Sequence, residues 1–149
     1  MDLIAYFSIS GNTKKVAEKL NSLVDADIFE IKAKKEYPTE YRSLVDVSKV
    51  EWEENQRPEL AEDINIEEYD KLFLLYPNWF GTVPMVVATF LETHDFAGKT
   101  IQPICTNGGG GLGNSVSFIE ELTDGEVFEG LGITSSQVDI CEDKLSKII

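Results

Sequence analysis

Three short stretches of this 149-residue chain carry residue types that could act together on one ligand. The first is Ser8-Ile9-Ser10-Gly11-Asn12-Thr13. Hydroxyl and amide side chains at 8, 10, 12 and 13 can donate hydrogen bonds to a phosphate. Gly11 lets the backbone turn tightly, so that successive N–H groups point inward. A helix starting there adds the positive end of its dipole. No Arg or Lys lies inside the loop, although Lys14 and Lys15 follow it. It is neither the Gly-Lys-Ser/Thr loop of nucleoside-triphosphate sites nor the Gly-x-Gly-x-x-Gly of dinucleotide sites. Taken alone, it reads equally as a capped helix start with a polar turn.

The second stretch is Tyr76-Pro77-Asn78-Trp79-Phe80-Gly81-Thr82-Val83-Pro84. Its adjacent aromatics follow an apolar run and cannot both turn inward easily. One of them facing a crevice offers a flat ring for stacking; packing of both under the loop is the alternative. The third runs from Thr106-Asn107-Gly108-Gly109 through Gly110, Gly111, Leu112 and Gly113 to Asn114. With so little side-chain bulk, the backbone can approach the edge of a flat ligand and offer N–H and C=O groups to it. A merely flexible loop is the competing explanation.

Other reactive residues read as structural. One histidine and two cysteines without a C-x-x-C give no support for zinc or a disulfide framework. His94 follows Val87, Phe90 and Leu91 at helical spacing, as a helix-end packing residue does. Cys105 ends an apolar run and Cys141 falls on an apolar helix face, so both suit packing better than nucleophilic attack. Trp52 reads as the anchor of a helix in an acidic segment. Lys32, Lys34 and Lys35 form a short basic patch with no assigned role.

The elements that must position the three loops alternate. Leu3–Phe7 is a strand-length apolar run, followed by helical spacing at Val16, Ala17, Leu20, Leu23 and Val24. Asp27–Ile31 reads as a second strand. Tyr41, Leu44, Val45 and Trp52 mark a helix between Pro38 and Gln56 that Arg57-Pro58 ends. Lys71–Tyr76 is continuously apolar around Leu72-Phe73-Leu74-Leu75, the pattern of a strand covered on both faces. Thr82 can cap the next helix, with Pro84 in its first turn and Val87, Phe90 and Leu91 on its buried face. Thr100–Cys105 is a fourth strand, and Val116, Ile119 and Leu122 mark a short helix. Phe128–Ile133 is a weak fifth strand. Val138, Cys141, Leu145 and Ile148 give a closing amphipathic helix. Strands alternating with helices imply a three-layer α/β/α sandwich around a parallel sheet, in one domain over residues 1–149. In such a sheet, ligands bind beyond the carboxyl ends of the strands, where the strand order reverses. The loops after strands one, three and four therefore belong together.

Bulk composition narrows the function. Apolar residues at 42% and charged residues at 27% suit a globular domain rather than a disordered chain. The net charge of −14 argues against direct nucleic-acid binding, which needs a basic surface. Residues 51–70 hold nine acids against Arg57 alone, either a solvated face or a steering surface for basic partners. No basic n-region precedes a long apolar run, and no run approaches the roughly 20 residues of a membrane span, so the expected location is the cytoplasm.

At the three loops the sequence resembles the flavodoxin family, in particular its short flavodoxin-like flavoprotein branch. Ser8–Thr13 is similar to the flavodoxin phosphate signature Thr/Ser-x-Thr-Gly-Asn-Thr, with Ser10 where Thr is usual. Tyr-Pro-Asn-Trp-Phe-Gly-Thr-x-Pro at 76–84 resembles that branch's second loop, with Phe80 where a second Trp is more common. Phe96–Gly113 also fits the branch. The resemblance implies a five-stranded sheet in the order 2-1-3-4-5 and non-covalently bound FMN. It places Ser8, Ser10, Asn12, Thr13 and the Ile9-Gly11 backbone at the phosphate. Pro77, Asn78 and Trp79 fall along the ribityl chain and ring, Trp79 being the stacking residue. Phe80 and Gly81 border the ring, and Thr106, Asn107, Gly108, Gly109 and Gly111 face its pyrimidine edge. In this chain the third loop lacks the Tyr that electron-carrier flavodoxins place against the outer ring face.

The implied function is low-potential electron transfer with redox partners bearing basic surfaces. An FMN-dependent NAD(P)H or quinone oxidoreductase is the alternative, acting as monomer or homodimer, although no basic cluster suits an NADPH 2′-phosphate. A phosphoacceptor domain of the same strand order ranks far lower. It would need an acidic pair after strand one and an Asp ending strand three, where Ser8 and Pro77-Asn78 stand instead.

Overall fold

The computed structural model describes all 149 residues. Strands β1 (Asp2–Tyr6), β2 (Ala26–Glu30), β3 (Lys71–Pro77) and β4 (Thr100–Asn107) are separated by helices α1 (Asn12–Leu23), α2 (Tyr41–Glu53) and α3 (Met85–Thr93). After α4 (Ser115–Leu122) come two short strands, β5 (Glu126–Val127) and β6 (Leu131–Thr134). A 3-10 turn over Ser135–Ile140 and a short α5 (Glu142–Ser146) complete the chain. The sheet runs β2-β1-β3-β4-β5, with β6 also on β4, and every pairing is parallel. This is the expected α/β/α architecture and strand order. No helix is long and apolar enough to cross a membrane.

Alternation along the central strands explains the layering. Leu3, Ala5 and Phe7 with Leu72, Leu74 and Tyr76 pack on one face, against Val87, Phe90 and Leu91 of α3. Ile4 and Tyr6 with Phe73 and Leu75 pack on the other, against Val16, Ala17 and Leu20 of α1. A strand segment buried on both faces must be apolar, as Leu72–Tyr76 of β3 is. Each fully buried Leu or Ile contributes about 1.5–3 kcal/mol, so these two layers hold the loops beyond them in place.

Three expectations about local structure change. The fifth strand is two pieces rather than one run over Phe128–Ile133. Val127 pairs with Ile101 and Leu131 with Ile104, so the residues between them bulge opposite Gln102 and Pro103. Pro103 brings no N–H to the ladder. The Gln102 side chain substitutes, donating to the Glu129 carbonyl at 2.8 Å and the Pro103 carbonyl at 3.0 Å. The closing segment is a 3-10 turn and a short helix instead of one amphipathic helix. Thr134 and Gln137 form a capping box that starts the 3-10 turn, and α5 begins again after Cys141. Val138, Cys141 and Leu145 are buried regardless, because spacings of three and four suit either geometry. Finally, Thr82 does not cap α3. Its hydroxyl is buried without a partner, and the helix starts at Met85 behind Pro84.

His94 ends α3, with Nε2 2.7 Å from the Asp63 carboxylate and its ring edge-on to Phe90 and Phe96. Cys105 and Cys141 are free and fully buried. Burial pushes the Cys105 thiol up to about 12, which removes it as a nucleophile near neutral pH.

Candidate functional site

The loops after β1, β3 and β4 converge at the carboxyl edge of the sheet. They enclose a cleft of ≈ 500 Å³ together with one face of α2. From the first loop, Ser10 and Asn12 line it; from the second, Pro77, Asn78, Trp79 and Phe80; from the third, Thr106, Asn107 and Gly108. Ser8, Ile9, Gly11, Thr13, Gly81, Gly109 and Gly111 belong to the same loops but do not form its wall.

The first loop turns tightly into the start of α1. Gly11 adopts φ +100°, a left-handed conformation that favours glycine, and its N–H donates to Ser8 Oγ at 3.2 Å. No side chain caps α1. The N–H groups of its first turn therefore lack a capping acceptor from the chain, and the helix dipole adds to their pull on an anion. Thr13 is buried, and its hydroxyl lies 2.8 Å from that of Thr106. That contact ties the first loop to β4.

The second loop is a two-residue hairpin turn. Trp79 and Thr82 exchange backbone hydrogen bonds at 3.0 and 3.2 Å, with Phe80 at φ +56° and Gly81 at φ +80° between them. Positive φ at both central residues is the turn that matches strand twist, and Gly81 accepts it freely. Phe80 adopts it at some cost and is stacked on Trp52 of α2 at 5.3 Å and 17°. Trp52 is 43% exposed and does not line the cleft; through this aromatic pair it anchors α2 to the second loop. Trp79 is half-buried and meets Phe7 and Tyr37 edge-on. So the adjacent aromatics diverge, one outward and one against the cleft wall.

The second and third loops hold each other. Asn78 donates from its backbone to the Thr106 carbonyl at 2.8 Å and from Nδ2 to the Gly111 carbonyl at 2.9 Å. Its Oδ1 accepts from the Gly81 N–H at 2.8 Å. Asn107 Oδ1 accepts from the Gly109 N–H at 2.9 Å. Both amides thus brace the loops. Tyr76, fully buried, places its hydroxyl 2.8 Å from Ser115 Oγ and fixes the start of α4.

Sequence reasoning missed α2 as a wall. Tyr41, Leu44, Val45 and Ser48 line the cleft, as does Ser135 from the 3-10 turn. The 41-44-45-48 spacing was the available signal, but it reads equally as a core-facing stripe. Tyr41 is 78% exposed, although it lines the cleft. No lining residue carries a charge. A Cβ on Gly108 would meet no protein atom, so the backbone there faces open space of the kind a ligand edge fills.

The sequence matches the Flavodoxin family over residues 1–145. A structure assigned as a flavoprotein from Bacteroides uniformis superposes with a TM-score of 0.84 at 26% identity, covering 97% of each chain. Another assigned so, from Bacteroides eggerthii, gives 0.80 at 31% identity and again 97% of each chain. The flavoprotein from Lactobacillus acidophilus, determined in complex with FMN, gives 0.75 at 28% identity, covering 93% of this chain and 95% of that one. No curated protein matches the sequence. Family match, strand order and loop architecture agree: this chain belongs to the flavodoxin family.

Proposed function

We propose that the chain binds one FMN non-covalently in the cleft of ≈ 500 Å³ and carries electrons through it. One observation carries the reading: three loops remote in sequence meet to juxtapose an uncapped helix start, a half-buried indole and a glycine backbone facing open space. Each suits one part of FMN, and the FMN-bound Lactobacillus acidophilus relative supports the assignment.

In this reading Ser8, Ser10, Asn12 and the first-turn amides of α1 receive the phosphate, with Thr13 supporting them through Thr106. Trp79 lies along the ring, and Gly108 and Gly109 face its polar edge. When bound, the flavin supplies the redox chemistry, and the protein supplies orientation and electrostatics. Negative charge gained on reduction meets no cationic side chain among the residues lining the cleft, in a chain of net charge −14. Coulomb terms grow as the local dielectric falls, so the reduced form is disfavoured and the potential is low. The acidic surface favours redox partners with basic faces.

The visible spectrum of the purified protein and an anaerobic titration test the proposal. Flavin bands and a midpoint below that of free FMN are expected. A folded preparation that stays colourless with excess FMN refutes FMN binding, and a midpoint at or above that of free FMN refutes the electrostatic argument. One observation favours a second reading, an NAD(P)H- or quinone-linked reductase: the third loop offers no aromatic cover and Tyr41 is 78% exposed, so a small substrate has room to reach the ring. Steady-state NAD(P)H–quinone turnover supports it; near-zero turnover supports the carrier.

A further inference from the structure

Helix α2 stands between two clefts. Tyr41, Leu44, Val45 and Ser48 line the flavin cleft. Asp46, Val47, Val50 and Glu51 face a second cleft of ≈ 910 Å³, bounded by the segments around Tyr37 and Pro58. Among the residues of α2 only Ser48 is fully buried, so core packing does not fix this helix.

Polar contacts do. The amino end is capped locally, the Glu40 carboxylate accepting from the backbone of Arg42 and Ser43 at 3.2 and 2.8 Å. Beyond the carboxyl end, Arg57 pairs with Glu92 of α3 and lies over the Phe118 ring. Within the helix one bond matters most: the Tyr37 hydroxyl donates to Glu51 Oε1 at 2.7 Å. The Tyr37 ring belongs to a trio of mutually edge-on aromatics. Its centroid is 5.6 Å from that of Phe7 and 5.5 Å from that of Trp79, and Phe7 and Trp79 are 5.3 Å apart. Phe7 is fixed in the core. Tyr37 therefore links the indole that lines the flavin cleft to the helix that forms another of its walls.

We infer that Tyr37 and Glu51 are positioning residues for the flavin ring, their hydrogen bond setting the separation between the Trp79 indole and α2. The inference rests on the FMN reading above. Neither residue lines the flavin cleft, so both act through Trp79 and the helix. The phenol packs edge-on against the indole, and Glu51 holds the phenol at the depth where that contact forms. Burial raises the Glu51 carboxyl above its ordinary range even with Tyr37 donating to it, so the helix keeps this acid half-buried at a cost. A tether made under such a cost has a geometric role more readily than a stabilising one.

The test uses a Trp52→Phe background, which keeps an aromatic against Phe80 and leaves Trp79 as the sole indole. In it are compared Tyr37→Phe, which keeps the ring and removes the donor, Glu51→Ala, which removes the acceptor, and Glu51→Gln, which retains one. Tyr37→Phe and Glu51→Ala should each raise the FMN dissociation constant about threefold to tenfold, the upper figure applying if binding must restore the whole Trp79–α2 spacing that the lost bond had set. Each should change the visible circular dichroism of bound flavin and increase acrylamide quenching of Trp79 in the flavin-free protein. Glu51→Gln should stay within about twofold of the background, and combining Tyr37→Phe with Glu51→Ala should do no more than either alone. Folded Tyr37→Phe and Glu51→Ala proteins with unchanged affinity and unchanged quenching overturn the inference, as does Glu51→Gln matching Glu51→Ala. If the background protein takes up no FMN, the flavin reading has failed on its own. Trp79 quenching in the flavin-free variants still decides whether the tether positions the indole.

Discussion

Replacing Gly113 with Ala should separate the two loops that brace each other. A Cβ there would lie 2.2 Å from the Gly81 carbonyl oxygen and 2.7 and 2.8 Å from the carbon atoms behind it. All three are backbone atoms, so no side chain can swing away. Restoring an ordinary contact moves the loops apart by about 1 Å. The Asn114 N–H donates to that same Gly81 carbonyl at 2.7 Å, and the movement breaks or stretches the bond. Gly113 also sits at φ +56°, where an L side chain costs about 1 kcal/mol. Adding about 1–3 kcal/mol for the disrupted hydrogen bond gives a loss of about 3 kcal/mol. For a chain of this length that lowers Tm by roughly 6–12 °C. Thermal unfolding followed by circular dichroism measures it, with Gly108→Ala as the control because a Cβ at Gly108 meets nothing within 4 Å. If Gly113→Ala and Gly108→Ala melt together, the close approach of the loops does not contribute as argued.

Three further outcomes are expected. Gly108→Leu should leave stability within about 0.5 kcal/mol of the parent but weaken FMN binding at least about tenfold, since its side chain projects from the cleft wall into open space; flavin-fluorescence titration measures this, and unchanged affinity would place the ring elsewhere. Neither thiol should react with a disulfide reagent in the native protein, whereas both should after denaturation, because Cys105 and Cys141 are fully buried and burial raises both; rapid native labelling of either contradicts this. The Ser43 hydroxyl and the backbone N–H groups of Ser43 and Arg42 hold the Glu40 carboxyl below its ordinary value, so the unfolded chain takes up its proton first. The cap's contribution is complete above the ordinary carboxylate range and is lost as pH falls through the lowered folded value. Glu51, raised by burial, runs the other way: its protonation on acidification relieves a cost. Carboxyl NMR titration should show Glu51 protonating before Glu40, and the reverse order would defeat the argument.

The parallel sheet was legible because β3 is apolar from Leu72 to Pro77 and β1 from Leu3 to Tyr6, which only two covered faces explain. The three loops were legible because glycines and polar side chains cluster there between apolar runs. Less visible were features set by contacts distant in sequence. Pro103 lies inside β4, and its missing N–H splits the fifth strand some 25 residues later, a pairing no local pattern reveals. Trp52 read as the anchor of its helix, but its partner Phe80 is exposed and belongs to another element, which no local pattern shows. The loop motif did not show that the Thr13 hydroxyl would lie beside Thr106, which the sheet brings alongside. The role of α2 was hidden for a similar reason: a stripe of apolar residues does not say whether it faces a core or a cleft.

The bracing of the second and third loops through Asn78, Asn107 and the Asn114–Gly81 bond involves only atoms of the chain. Those hydrogen bonds need no ligand atom to complete them, so the two loops should lose little conformational freedom on uptake. Capture should then be a single bimolecular phase whose rate grows linearly with cofactor concentration, without the plateau that a slow folding step imposes. Exchange of the cofactor would be governed by its escape rate alone.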